Sequence, residues 1–128
     1  MTVFDSSAII CWLFKEPGAE YVLELLTNSP KQKNYISSLN QGEVIYILMR
    51  QKKILFSQAL KIMEDLPLTV IHCDLQDTLL TSKIKSKGGI SYLDCFALVL
   101  AIQKKSPLIV KDIEFDKFKK LAKIVQVS

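Results

Sequence analysis

An α/β fold with a mainly parallel sheet is predicted for this chain from three features. Short β-rich runs alternate with longer stretches whose apolar residues recur at helical spacing. The runs Thr2–Phe4 and Leu108–Val110 are almost wholly apolar, as central strands covered on both faces are. Strands separated by helices need crossover connections, which are right-handed and leave the strands parallel. At 128 residues and 49% hydrophobic content, the chain suits a single domain, 1–128, with a core that needs no disulfides.

Thr2–Phe4 reads as the first strand and Ala8–Phe14 as a short helix behind it. Pro17 marks the approach to a second helix, Ala19–Asn28, with Tyr21, Val22, Leu25 and Leu26 on one face. Asn34–Ser37 is a strand. Gln41–Lys52 follows as a helix striped by Val44, Ile45, Leu48 and Met49, with Asn40 as its cap. Ser57 is expected to cap Gln58–Leu66, and Leu68–His72 reads as a strand. Asp74 caps Leu75–Lys85, Gly88-Gly89 breaks the chain, and Ser91 caps an apolar helix through Gln103. Leu108–Val110 is a strand, a helical turn falls near Glu114–Lys119, and Ala122–Val127 is the final strand. All four prolines lie at element boundaries.

Cys11, Cys73 and Cys95 are odd in number, sit in apolar contexts and lack CxxC spacing. They read as reduced thiols in a cytoplasmic protein. No signal-peptide pattern opens the chain, and the runs Ala8–Phe14 and Cys95–Ile102 fall far short of the roughly 20 residues that span a bilayer. A soluble protein is expected.

Asp5, Glu43, Asp94 and Asp112 each stand at the edge of an apolar run. Each has a structural role open to it. Asn40 with Glu43, and Ser91 with Asp94, have capping-box spacing, and Asp5 and Asp112 could cap the turns that follow them. As a set they point further. Asp5 and Asp112 follow the carboxyl ends of the two most apolar strands, where sites form in parallel sheets. Asp94 is embedded in the apolar segment Tyr92–Leu100, where a carboxylate is costly unless paired or metal-bound. Helix N-termini cannot neutralise four clustered carboxylates, whereas a hard divalent cation can. The net charge is +4; setting these four acids apart leaves 9 acids against 17 basic residues. A basic body around an acid cluster suits a phosphate-bearing substrate, although the net charge taken alone reads first as ordinary solubilising charge.

Four segments in succession then resemble the motifs of PIN-domain nucleases. They are Phe4-Asp5-Ser6-Ser7-Ala8, the helix start Ser38…Glu43, Ser91-Tyr92-Leu93-Asp94-Cys95-Phe96-Ala97, and Val110-Lys111-Asp112-Ile113-Glu114-Phe115. The resemblance extends over essentially the whole chain and is nearest to the VapC-like ribonuclease toxins of toxin–antitoxin pairs. It implies a three-layer fold whose five-stranded, mainly parallel sheet has the order 3-2-1-4-5. It also implies an endoribonuclease dependent on Mg²⁺ or Mn²⁺, products with 5′-phosphate and 3′-hydroxyl ends, a homodimer, and a cognate antitoxin that blocks the site. The family's four acids map onto Asp5, Glu43, Asp94 and Asp112, and a further acid of some members onto Glu114. Val110 departs from the pattern, standing where members often carry Thr or Ser.

On that reading Asp5, Asp94 and Asp112 hold the metal, while Glu43 and Glu114 act through water. Ser6 is a candidate for a cage carboxylate or the scissile phosphate. Lys85, Lys87 and Lys111 are candidates for the RNA backbone. Trp12, Phe14, Leu25 and Leu26 could expose apolar surface for an antitoxin segment, while each taken singly reads first as core packing. His72 is the only histidine and has no acid–base partner in view, so it reads as structural. Two rival readings stand beside this one. An Asp-based phosphotransfer enzyme or receiver domain shares strand-end acids, but the haloacid-dehalogenase pattern needs an acid where Ser7 stands. A catalytically silent α/β interaction module would be separated from a nuclease by a metal titration.

Overall fold

The computed structural model describes residues 1–128. Five strands form one sheet: β1 (Thr2–Phe4), β2 (Asn34–Ser37), β3 (Thr69–Ile71), β4 (Leu108–Val110) and β5 (Ile124–Gln126). Their order is β3-β2-β1-β4-β5, and every pairing is parallel. Six helices connect them: α1 (Ser6–Leu13), α2 (Ala19–Thr27), α3 (Ser38–Lys52), α4 (Phe56–Glu64), α5 (Leu75–Lys85) and α6 (Tyr92–Lys104). Two 3₁₀ turns, Lys31–Lys33 and Ile113–Phe118, complete the chain.

The sheet separates two cores. Phe4, Ile36 and Ile109 face α1–α4 and pack with Ile9, Val22, Leu26, Val44, Leu48 and Met63. Val3, Leu108 and Val110 face the other way, toward Leu98 of α6, Ile84 of α5 and Phe115. Successive strand residues point to opposite faces, and both faces are covered, so β1 and β4 are apolar at every position but Thr2. Burial of each such side chain contributes roughly 1.5–3 kcal/mol. Val110 is fully buried in the second core, so its side chain serves packing and not the sheet edge.

Several boundaries depart from those expected. α1 begins at Ser6, two residues early, because Asp5 caps it: Oδ2 accepts from the Ser7 N–H at 2.9 Å. α3 begins at Ser38, three residues early. Its cap is Ser37, whose Oγ accepts from the Asn40 N–H at 3.1 Å. Asn40 therefore lies inside the helix and is fully buried, and Glu43 sits in the second turn rather than the first. Ser57 is not a cap either. α4 starts at Phe56 after Leu55, and Gln58 Oε1 accepts from the Leu55 N–H at 2.9 Å. α4 ends at Glu64, as Pro67 disfavours helical backbone before it. Asp74 and Ser91 cap α5 and α6 as expected, receiving the N–H groups of Asp77 and Asp94. Gly88 and Gly89, at φ +76° and +103°, hold the left-handed backbone that turns the chain from α5 toward Ser91. No helix is long and apolar enough to cross a membrane. Cys11, Cys73 and Cys95 are all free thiols.

Candidate active site

The pairing of β1 with β4 brings the first two acids together. Phe4 is in register with Ile109, and the Asp5 N–H donates to the Ile109 carbonyl at 2.9 Å. Asp5 thus leaves the carboxyl edge beside Val110, two residues short of Asp112. Asp94 is the third residue of α6, and Glu43 lies one turn further into α3 than a first-turn position. Both helices open onto the same edge. The result is one cavity of about 470 Å³ lined by Asp5, Glu43, Asp94, Asp112 and Glu114, with Ser6, Ser7, Ser91, Ile10 and Ile47 between them. All four principal acids and the auxiliary Glu114 converge on it, although they lie up to 109 positions apart in sequence.

Hydrogen bonds fix the acids individually. Ser7 Oγ donates to Asp5 Oδ2 at 2.6 Å and accepts from the Lys111 N–H at 2.9 Å, linking the end of β1 to the loop that carries Asp112. Asp112 Oδ1 accepts from the Glu114 N–H at 2.9 Å, and its carbonyl accepts from Gln126 Nε2 at 2.9 Å. Asn40 Nδ2 donates to the Leu93 carbonyl at 3.1 Å, joining α3 to α6 beside Asp94. Ser6 does not meet a cage carboxylate. Its hydroxyl donates to the Asn40 carbonyl at 3.3 Å. The serine that does meet one is Ser7, whose spacing from Asp5 is that of a local Asx-type turn.

The acids share one electrostatic field. Burial pushes the Asp5 carboxyl up to about 7; the charges of Asp94 and Glu43 push the same way, against the two hydrogen bonds from Ser7. Asp94 rises to about 6, again chiefly through burial, with Asp112, Glu43 and Glu114 adding to it and Ser91 opposing. No basic side chain neutralises them, since the ion pairs form elsewhere, at Lys61–Asp65, Lys111–Glu16 and Lys119–Asp116. No three of these side chains stand close enough to grip an ion as they are. The donor set nonetheless fits a hard cation. It is all oxygen, and Asp5 Oδ1 is buried without any hydrogen-bond partner.

Among the lysines, Lys85 and Lys87 are exposed at the end of α5, on the approach to Gly88-Gly89 and the α6 cap. Lys111 is drawn the other way: its Nζ lies 3.4 Å from Glu16, and its side chain is mostly buried. A larger hollow of about 970 Å³ lies along α1 and α2, lined by Trp12, Tyr21, Leu23, Glu16, Glu20 and Glu24 among others. Leu26 is buried in the core, and Trp12, Phe14 and Leu25 are partly buried against it, the core-packing role open to each from the sequence. The exposed apolar residues there are Tyr21 and Leu23.

The PIN domain model matches residues 2–121, and the chain belongs to the PIN domain family. Its fold is shared with solved structures at low sequence identity. A toxin–antitoxin complex from Klebsiella pneumoniae aligns with a TM-score of 0.77 at 17% identity, over 100% of this chain and 98% of that one. VapC20 of Mycobacterium tuberculosis, a Sarcin-Ricin loop cleaving toxin, aligns with a TM-score of 0.75 at 14% identity, over 92% and 95%. VapBC2 of Rickettsia felis, bound to a DNA fragment from its promoter, aligns with a TM-score of 0.70 at 19% identity, over 99% and 98%. No curated protein matches the chain significantly in sequence.

Proposed function

We propose that this chain is a metal-dependent endoribonuclease, the toxin of a type II toxin–antitoxin pair, and that the acid cavity is its active site. The observation that carries the reading is Asp5: a buried carboxylate with one oxygen unpartnered, facing a cavity that four further acids line. Family membership and the likeness to toxin structures support it. Asp5, Asp94 and Asp112 would hold Mg²⁺ or Mn²⁺, with Glu43 and Glu114 reaching it through water. When bound, such an ion lowers the pKa of a coordinated water and offsets the charge of a phosphodiester.

The chain's own residues supply the rest. Ser7 holds the Asp5 carboxylate in one orientation and ties it to the Asp112 loop. Glu43 and Glu114 orient the attacking water. Ser6 lines the cavity, Lys85 and Lys87 are exposed just before the Gly88-Gly89 turn that leads to α6, and these would contact the RNA backbone. Lys111 can join them only by exchanging Glu16 for a phosphate. The hollow on α1 and α2, with Tyr21 and Leu23 exposed beside three glutamates, would receive the antitoxin. A homodimer in the cytoplasm belongs to the same reading, and exposed Leu75 and Leu79 on α5 offer apolar surface for it.

The test is cleavage of cellular RNA by the purified chain with and without Mn²⁺, with sequencing of the new ends. Ends bearing 5′-phosphate and 3′-hydroxyl, seen only with the ion, are expected. Intact RNA beside tight ion binding would point instead to a silent interaction module.

A further inference from the structure

We propose that Asn40 is a positioning residue that sets the spacing of Glu43 and Asp94 across the acid cavity; the inference rests on reading that cavity as a divalent-cation site. Asn40 is fully buried in α3, where an amide side chain is tolerated only if it is hydrogen-bonded. It is bonded on every side. Its N–H donates to Ser37 Oγ at 3.1 Å, and its Oδ1 accepts from the same hydroxyl. Its carbonyl accepts from Ser6 Oγ at 3.3 Å, and its Nδ2 donates to the Leu93 carbonyl at 3.1 Å.

Those partners belong to three different elements, β2, α1 and α6, and the last two partners each adjoin an acid. Ser6 follows Asp5 in α1. Leu93 precedes Asp94 in α6. Glu43 lies three residues beyond Asn40 on α3 itself, so the two share a helix face. Helix capping does not account for this arrangement. Ser37 alone caps α3, and the Leu93 carbonyl has a partner in the α6 ladder four residues on. What the Asn40 amide adds is a fixed distance between two helices whose acids repel. α3 and α6 pack against each other, and the charges of Glu43 and Asp94 act to spread them. A buried amide that holds the pair in place lowers the reorganisation needed when a cation arrives.

Asn34 supplies the control. It too is fully buried, and its Nδ2 donates to the Leu26 and Pro67 carbonyls at 2.8 and 3.1 Å. It sits at the amino end of β2, away from every acid of the cavity. Loss of either amide removes comparable buried hydrogen bonds, so stability alone does not separate them.

The experiment is calorimetric titration of the full chain with MnCl₂, alongside thermal melts without metal, for wild type, Asn34→Ala, Asn40→Ala and Asn40→Leu. The leucine variant fills the volume with an apolar isostere and keeps the fold assayable if alanine does not. Both alanine variants should melt earlier than wild type. Only the Asn40 variants should bind Mn²⁺ more weakly, by about 10- to 100-fold, the range for loss of a group that orients metal ligands. Wild-type affinity in the folded Asn40 variants, or an equal loss in Asn34→Ala, overturns the inference while leaving the metal site standing. Absence of Mn²⁺ binding by the wild type overturns the reading of the cavity and the inference with it.

Discussion

Ser7 Oγ stands 2.6 Å from Asp5 Oδ2 and also accepts the Lys111 N–H, so one hydroxyl locks the end of β1 to the loop after β4. Its bonds also hold the Asp5 carboxyl lower than burial alone would. Ser7→Ala should therefore raise the Asp5 pKa further, weaken Mn²⁺ binding and reduce RNA cleavage by about 10- to 100-fold, the usual cost of losing an outer-shell partner. Cleavage rates across a Mn²⁺ series would report it; a rate equal to wild type at every concentration would leave Ser7 with no part in the site.

Asp94→Asn tests a residue proposed to hold the ion directly. Cleavage should fall beyond the about 100-fold that outer-shell losses reach. Without metal, the melting temperature should hold or rise, because Asp94 is buried among Asp112, Glu43 and Glu114 and its charge opposes folding. A large drop in melting temperature would mean that the carboxylate serves α6 as a cap and little else.

The same shifts set a pH dependence. Asp5 and Asp94 rise from 3.8 to about 7 and about 6, so between those values the folded state holds more protons than the unfolded. Stability without metal should then be fully present below about pH 4, decline as pH climbs through 6 and 7, and level off above. Mn²⁺ must displace those protons, so its stabilising effect should grow over the same interval. Melting curves from pH 4 to pH 8, with and without Mn²⁺, should show the two conditions diverging as pH rises; parallel curves would contradict this.

Asp5→Asn should blunt the thermal shift given by Mg²⁺ or Mn²⁺. A ligand stabilises only in proportion to its affinity for the folded form. Equal shifts in variant and wild type would remove Asp5 from the metal site, despite its unpartnered Oδ1.

At the α1–α2 hollow, Tyr21 and Leu23 are 42% and 38% exposed. If the hollow receives an antitoxin as proposed, replacing either with alanine should weaken that binding by at least about 1 kcal/mol, as at an interface anchor. RNA cleavage by the chain alone should stay within about twofold of wild type, since neither residue lines the acid cavity. Pull-down titrations paired with cleavage assays would check both halves.

Asp5, Glu43, Asp94 and Asp112 were legible as a set because each stands at the edge of an apolar run, and Asp94 lies inside one, where a carboxylate needs a reason. The strands β1 and β4 were legible for a related reason: a segment covered on both faces is apolar throughout. Asn40 has capping-box spacing to Glu43, yet Ser37 takes the cap and Asn40 is buried inside α3, which local spacing does not reveal. Ser6 and Ser7 were no easier to tell apart. Adjacent residues with the same side chain leave α1 in different directions, one toward α3 and the other back to Asp5.

Local chemistry therefore determined, from the sequence by itself, that this chain alternates strands with helices and carries acids at their junctions. Hydrophobic period and turn residues act over a few neighbours, and a linear reading captures them. Only the tertiary structure decided that Asn40 spans three elements, that Lys111 turns to Glu16, and that Asp5 keeps an unpartnered oxygen. Those outcomes depend on which surfaces the sheet order 3-2-1-4-5 presses together, and the contacts so made join residues with no proximity in the chain.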